Sequence, residues 1–190
     1  MSHFFAYMFR MKHIKRWGLM KNSYEENIEE HSHQVAMVAH ALALIDQKEF
    51  GKTVDEEHVM ALALYHETGE VITGDLATPI KYFNQKINSA YKEVEDLAED
   101  KILSFLPERY QNDYKKIIKH RDDPDYIYVK AADRICAYIK CVEEIKSGNK
   151  EFEKAKESIY QSITDMQLPC VEFFFKEFIP SFSLTLDELK

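Results

Sequence analysis

The chain of 190 residues holds only 5 glycines and 5 prolines, where an average sequence of this length carries roughly 13 and about 9. A β-sandwich or barrel needs turn residues every ~8–12 positions, and so few breakers cannot supply them. The glycines at 18, 51, 69, 74 and 148 are also scattered. The nearest pair, Gly69 and Gly74, is followed by Asp75 and Leu76 instead of the Lys-Ser/Thr of a phosphate loop, which excludes nucleotide folds built on glycine-rich loops. Cysteine is scarce as well. Cys136, Cys141 and Cys170 are odd in number and lack a C-x-x-C spacing, so they predict buried, reduced thiols and no disulfide framework. No stretch approaches the ~20 apolar residues of a membrane span, and the run Phe4 to Phe9 is too short for a signal peptide and has no basic region before it. The expectation is a cytoplasmic, all-α protein.

Acidic residues are missing before Glu25, a stretch that contains Arg10, Lys12, Lys15, Arg16 and Lys21. The whole chain is nevertheless acidic, with a net charge of −8, which argues against nucleic-acid polymers and anionic membranes as partners. A basic arm on an acidic protein either steers a small anionic ligand or forms a solvated turn, and composition leaves both open.

Internal repeats and low-complexity linkers are absent, so residues 1–190 read as one domain. The segment from Ile28 to about Gln47 is apolar nearly all round, the pattern of a central helix, and Asn27 with Glu30 three residues on forms a capping-box signal at its start. Further helices are predicted at about Asp55–His66, Asn84–Leu106, Gln111–His120, Asp125–Lys146, Phe152–Met166 and Cys170–Phe178, with a loop from Gly69 through Pro79. Gly148 stands where a helix C-cap belongs. The aromatic run Phe173, Phe174, Phe175 and Phe178 reads as core or subunit surface ahead of a ligand box.

Among the eight histidines, His3, His13, His58 and His120 sit in polar or terminal contexts and read as surface groups. His31, His33 and His40 lie on the central helix, and His66-Glu67 stands where the next helix breaks, with Glu70 and Asp75 following in the loop. Adjacent helical residues point about 100° apart, so a His-carboxylate pair closes on one ion only if a second element adds ligands. His31 is placed to be one. Asp133 interrupts the apolar stretch Val129 to Ile139, where a lone carboxylate is costly; it is either a fourth ligand or the partner of Lys130 or Arg134.

A His, then a His-carboxylate dipeptide, then a distant Asp resembles the ligand set of the HD-domain metal-dependent phosphohydrolases, an all-α helical-bundle family. Within it, Ser2-His3-Phe4-Phe5-Ala6, Arg16-Trp17, Glu30-His31-Ser32, the run Gln34 to Ala43, Glu70-Val71, Thr73-Gly74-Asp75-Leu76, Thr78-Pro79, Lys81-Tyr82-Phe83-Asn84, Cys136-Ala137-Tyr138 and Pro180-Ser181-Phe182 are similar to the bacterial 5'-deoxynucleotidases of the YfbR type. The resemblance implies that His31, His66, Glu67 and Asp133 are metal ligands and that Glu70 and Asp75 are the catalytic carboxylates. It further implies that Arg16 binds phosphate, that Trp17 crowds the sugar 2' position, and that Thr78 and Lys81 belong to the substrate site. The metal would be one divalent ion, drawn from Co, Mn, Zn, Fe or Ni. The substrate would be a deoxynucleoside 5'-monophosphate and the enzyme a homodimer.

One residue departs from the pattern. The family's dipeptide is His-Asp, and here it is His66-Glu67. Glutamate keeps the oxygen ligands on a stem longer by one methylene, a reach of roughly 1.5 Å against a metal-bond tolerance of about 0.2 Å. A rotamer change or a backbone shift at Gly69 would have to absorb it. Two alternatives therefore stand beside a 5'-deoxynucleotidase: a phosphohydrolase of another small nucleotide or phosphate ester, and a nucleotide- or metal-binding module whose catalysis Glu67 has impaired.

Overall fold

The computed structural model describes residues 1–81 and 83–189; Tyr82 of the Lys81-Tyr82-Phe83-Asn84 motif lies outside the described residues. The helices are α1 (Phe4–Met8), α2 (Ile28–Phe50), α3 (Glu56–Leu64), α4 (Glu70–Thr73), α5 (Thr78–Lys81), α6 (Gln85–Ser104), α7 (Glu108–Ile118), α8 (Tyr126–Lys146), α9 (Glu153–Thr164) and α10 (Pro169–Glu177). The extended pairing among the described residues is an isolated antiparallel bridge between Lys15 and Asn27, so the all-α expectation holds. No helix of the described residues is long and apolar enough to cross a membrane.

The chain forms two compact units, Met1–His33 with Leu64–Asp123 and Gln34–Ala63 with Pro124–Lys190. In the first, Phe4, Met8, Met11, Ile28, Ile102, Leu103, Leu106 and Ile118 form a buried core. Phe4 is fully buried and meets Tyr114 edge to face at 4.9 Å. Around this core the local sequence sets the helix ends. Asn84 caps α6 by accepting from the Ile87 N–H at 2.9 Å. Pro107 precedes α7, where its fixed φ of −55° and missing N–H are tolerated, so α7 begins at Glu108, ahead of the expected start at Gln111. The predicted loop from Gly69 to Pro79 instead holds two short helices, α4 and α5. Pro79 fits the first turn of α5, and Gly74, at φ +74°, ends α4 with a left-handed backbone that a side chain would strain.

In the second unit α8 packs on α9 and buries Tyr128, Val129, Ala131, Ala132, Ile135, Cys136, Ile139 and Cys141. The three cysteines are buried, and none forms a disulfide among the described residues. Two polar knots are built into this interior. Lys140 pairs with Glu144 at 2.5 Å, and Glu144 also accepts from Asn149 at 2.8 Å. Asp46 accepts from the Tyr128 hydroxyl and from Lys52, each at 2.7 Å. Gly148 takes φ +88° just past α8, the cap expected of it. Phe174 is buried while Phe178 is exposed, and Phe175 joins Tyr138 and Tyr160 in an aromatic cluster.

Phe4 anchors the N-terminal segment to the core of the first unit. Phe4→Ala removes a fully buried ring and is expected to cost about 3–5 kcal/mol of stability, read as a lower urea midpoint at an unchanged denaturant slope.

Candidate active site

The segment before α2 is pinned to the chain that precedes it. Arg16 N–H donates to Glu26 O at 2.9 Å and Ile28 N–H to Ile14 O at 3.0 Å, on either side of the Lys15–Asn27 bridge. This ribbon lays Arg16 and Trp17 beside Glu26. Asn27 then caps α2, its Oδ1 accepting from the N–H groups of Glu29 and Glu30 at 3.0 Å each, and His31 follows in the first turn, fully buried. Past α3 the chain turns through His66, Glu67, Thr68 and Gly69, with Thr68 Oγ1 donating to Tyr65 O at 2.6 Å. Gly69 has φ −61°, an ordinary helical backbone, and a methyl there would meet Glu95 O at 3.5 Å, a normal contact. The local freedom expected of Gly69 is therefore not used.

Glu67 reaches the histidines without it. Its Oε1 lies 3.2 Å from His66 Nε2, 4.0 Å from His31 Nε2 and 3.3 Å from Arg16 Nη1. The His31 and His66 rings sit 5.5 Å apart, centre to centre. Two atoms bonded to one ion at ~2.0–2.2 Å stand at most about 4.4 Å apart, and the Glu67 oxygen lies within that spacing of each imidazole Nε2. Two imidazoles and a carboxylate are also the donor chemistry a borderline divalent metal takes. The longer side chain thus fits the ligand set. Asp133 lies on α8 in the second unit, half-buried.

Charges in the first unit are arranged around these groups. Burial opposes ionisation of Glu67, but the charges of His66, Arg16 and His31 outweigh it and hold the carboxylate well below its ordinary range. Glu70 goes the other way: burial and then the Glu67 charge push it well above that range, and its buried Oε2 accepts no hydrogen bond among the described residues. Asp75 is raised by burial and by Glu67, against the pull of Arg16 and Lys81. Neighbouring carboxyls whose pKa values are driven apart are suited to different proton tasks. Lys81 resists its burial through a 2.9 Å ion pair to Glu95, which raises it, and its ammonium lies 5.1 Å from the Tyr91 ring centre.

The structure thus brings Arg16, His31, His66, Glu67, Glu70, Asp75 and Lys81 into one electrostatic neighbourhood. Trp17 joins it through Glu26, to which its Nε1–H donates at 2.8 Å. Thr78 stands exposed at the start of α5. Two participants were not legible in the sequence. Glu26 is buried and holds Arg16, yet it sits in the run Glu25-Glu26-Asn27 and resembles a solvated charge. His120, read as a surface group among Lys119, Arg121 and Asp122, is 4% exposed. Burial, and then the charge of His66, lower it from 6.5 to about 4. The polar neighbours hid it, because the end of α7 turns the imidazole inward while they remain outside.

That burial has a consequence in acid. As pH falls from 6.5 toward 4 the unfolded chain protonates His120 while the folded chain does not, so stability falls through this window. At ~1.4 kcal/mol per unit the loss is roughly 2–3 kcal/mol. Urea unfolding of the metal-free protein across this range should show it, and His120→Gln should flatten the slope.

A sequence model of the YfbR-like 5'-deoxynucleotidase family matches residues 3–182. A 5'-deoxynucleotidase of Vibrio parahaemolyticus is 49% identical over 192 residues, covering 99% of this chain and 98% of that protein. The fold is similar to that of an HD-domain phosphohydrolase from Listeria innocua, at a TM-score of 0.83 with 22% identity over 95% of this chain and 88% of that one. It is also similar to a cyanophage S-2L HD phosphohydrolase solved with dA and one catalytic Zn2+ ion, at a TM-score of 0.65 with 17% identity over 93% and 96% of the two chains. With the helical architecture, the paired histidines and the carboxylate cluster in place, the chain belongs to the YfbR-like 5'-deoxynucleotidase family.

Proposed function

We propose that the protein is a metal-dependent 5'-deoxynucleotidase that hydrolyses deoxynucleoside 5'-monophosphates to deoxynucleoside and phosphate, within one phosphohydrolase domain spanning residues 1–190. The observation that carries this reading is the buried meeting of Glu67 with His31, His66 and Arg16, which sets a metal-ligand group against a phosphate-binding guanidinium. His31, His66, Glu67 and Asp133 would hold the ion, one of Co, Mn, Zn, Fe or Ni. When bound, the ion supplies Lewis acidity toward a phosphoryl oxygen, acidifies water, and offsets the mutual repulsion of the carboxylates.

The chain's own residues do the rest. The guanidinium of Arg16 presents a planar fork that matches a phosphate monoester, and Lys81 adds a second cation kept charged by Glu95. Glu70 orients the attacking water. Asp75, its pKa raised by burial, carries the proton that the 5' oxygen needs as the P–O bond breaks. Trp17 lies on the sugar side and disfavours a 2'-hydroxyl; Thr78, at the start of α5, contacts substrate from the rim. The same reading places the enzyme in the cytoplasm as a homodimer, which light scattering of the purified protein tests.

Phosphate release from dAMP and AMP, with chelator and with added Co, Mn or Zn, tests the function. Turnover of dAMP exceeding that of AMP and abolished by chelator is expected; nucleotide binding without turnover under any metal would assign a binding module instead. After metal loading and dialysis the protein should retain stoichiometric divalent ion. Glu70→Gln is expected to lower kcat by about 10²–10⁴-fold, whereas Arg16→Ala should act mainly by raising KM for the nucleotide.

A further inference from the structure

We propose that Glu26 is a positioning residue that sets deoxyribose selectivity, because one buried carboxylate holds the phosphate-binding and the sugar-side residues in a single geometry. Its Oε2 accepts from Trp17 Nε1 at 2.8 Å and from Arg16 Nε at 3.3 Å. Its Oε1 lies 3.8 Å from His31 Nδ1, an electrostatic contact longer than a hydrogen bond. Glu26 is 7% exposed, so these contacts are made where water screens them little. The inference rests on the nucleotidase reading, and it assigns Glu26 no contact with substrate.

The backbone shows why such a hold is needed. Trp17 has φ +59°, a left-handed conformation that an aromatic residue adopts only when its surroundings impose it. Its carbonyl accepts from Met20 N–H at 2.9 Å and from Asn22 Nδ2 at 3.4 Å, which closes the turn. The bond to Glu26 ties the indole N–H to the carboxylate. The same oxygen fixes the inner edge of the Arg16 guanidinium, leaving Nη1 toward Glu67. Phosphate and sugar are therefore read by neighbours that share one anchor, so their separation is set by Glu26.

Trp17 is the single tryptophan of the chain, so its fluorescence reports this anchor directly. Glu26→Gln keeps the shape and removes the charge. It should lower the dAMP-to-AMP ratio of kcat/KM by about 10-fold, the scale of a lost hydrogen bond to a charged group, chiefly through KM. Trp17 emission should shift to the red and become more open to acrylamide quenching. Glu26→Asp, which keeps the charge, should restore part of the ratio, and Glu25→Gln, at an exposed neighbour paired with Lys15, should leave it unchanged. In a Trp17→Phe background Glu26→Gln should lower the ratio no further. A folded Glu26→Gln protein, judged by circular dichroism, with wild-type ratio and wild-type Trp17 emission would overturn the proposal, as would an additional loss in the Trp17→Phe background. Wild-type protein that turns over neither nucleotide would remove the functional reading itself, and this shows before any variant is made.

Discussion

Burying several carboxylates side by side is the constraint around which the first unit is organised. Glu26, Glu67, Glu70 and Asp75 all lie wholly or partly out of water, where like charges repel and each desolvated anion is costly. The structure offsets this with polar partners placed at specific edges: the Arg16 guanidinium between Glu26 and Glu67, the His31 and His66 imidazoles against Glu67, and the Lys81 ammonium against Glu95. What these do not neutralise is left on Glu70 and Asp75, whose pKa values are raised.

The helices serve this arrangement by fixing where each charge enters. Asn27 caps α2 one turn before His31, so the imidazole is set by the helix start and not by a flexible loop. Glu67 follows α3 in a tight turn, and Glu70 opens α4, which packs on α6. That helix in turn supplies Glu95 for Lys81 and Arg121. Glu70 N–H donates to Glu67 O at 3.0 Å, so these two carboxylates ride on one hydrogen-bonded turn.

The Glu67 substitution shows how far side-chain geometry can be anticipated. From the sequence, one extra methylene calls for either a rotamer change or a backbone shift at Gly69. The structure keeps Gly69 helical at φ −61° and places Glu67 Oε1 within reach of both imidazoles. A glutamate has one more torsion than an aspartate, and rotamer choice absorbs the added length without moving the backbone. The Asn27 cap and the Gly148 terminator were readable because they act within a few residues. The helices α4 and α5 were not, since four-residue helices carry too short a pattern for periodicity to register.

By itself the sequence determined the all-α class and the main helices, because these depend on local propensity and spacing, while its resemblance to the phosphohydrolases supplied the candidate site residues. It did not determine which polar side chains are buried. His120 and Glu26 sit among charged neighbours and look solvated, yet His120 turns inward at the end of α7 and Glu26 is enclosed by Arg16, Trp17 and His31. Burial, and the pKa shifts that follow from it, depend on contacts between segments far apart in the chain, and only the tertiary structure brings those segments together.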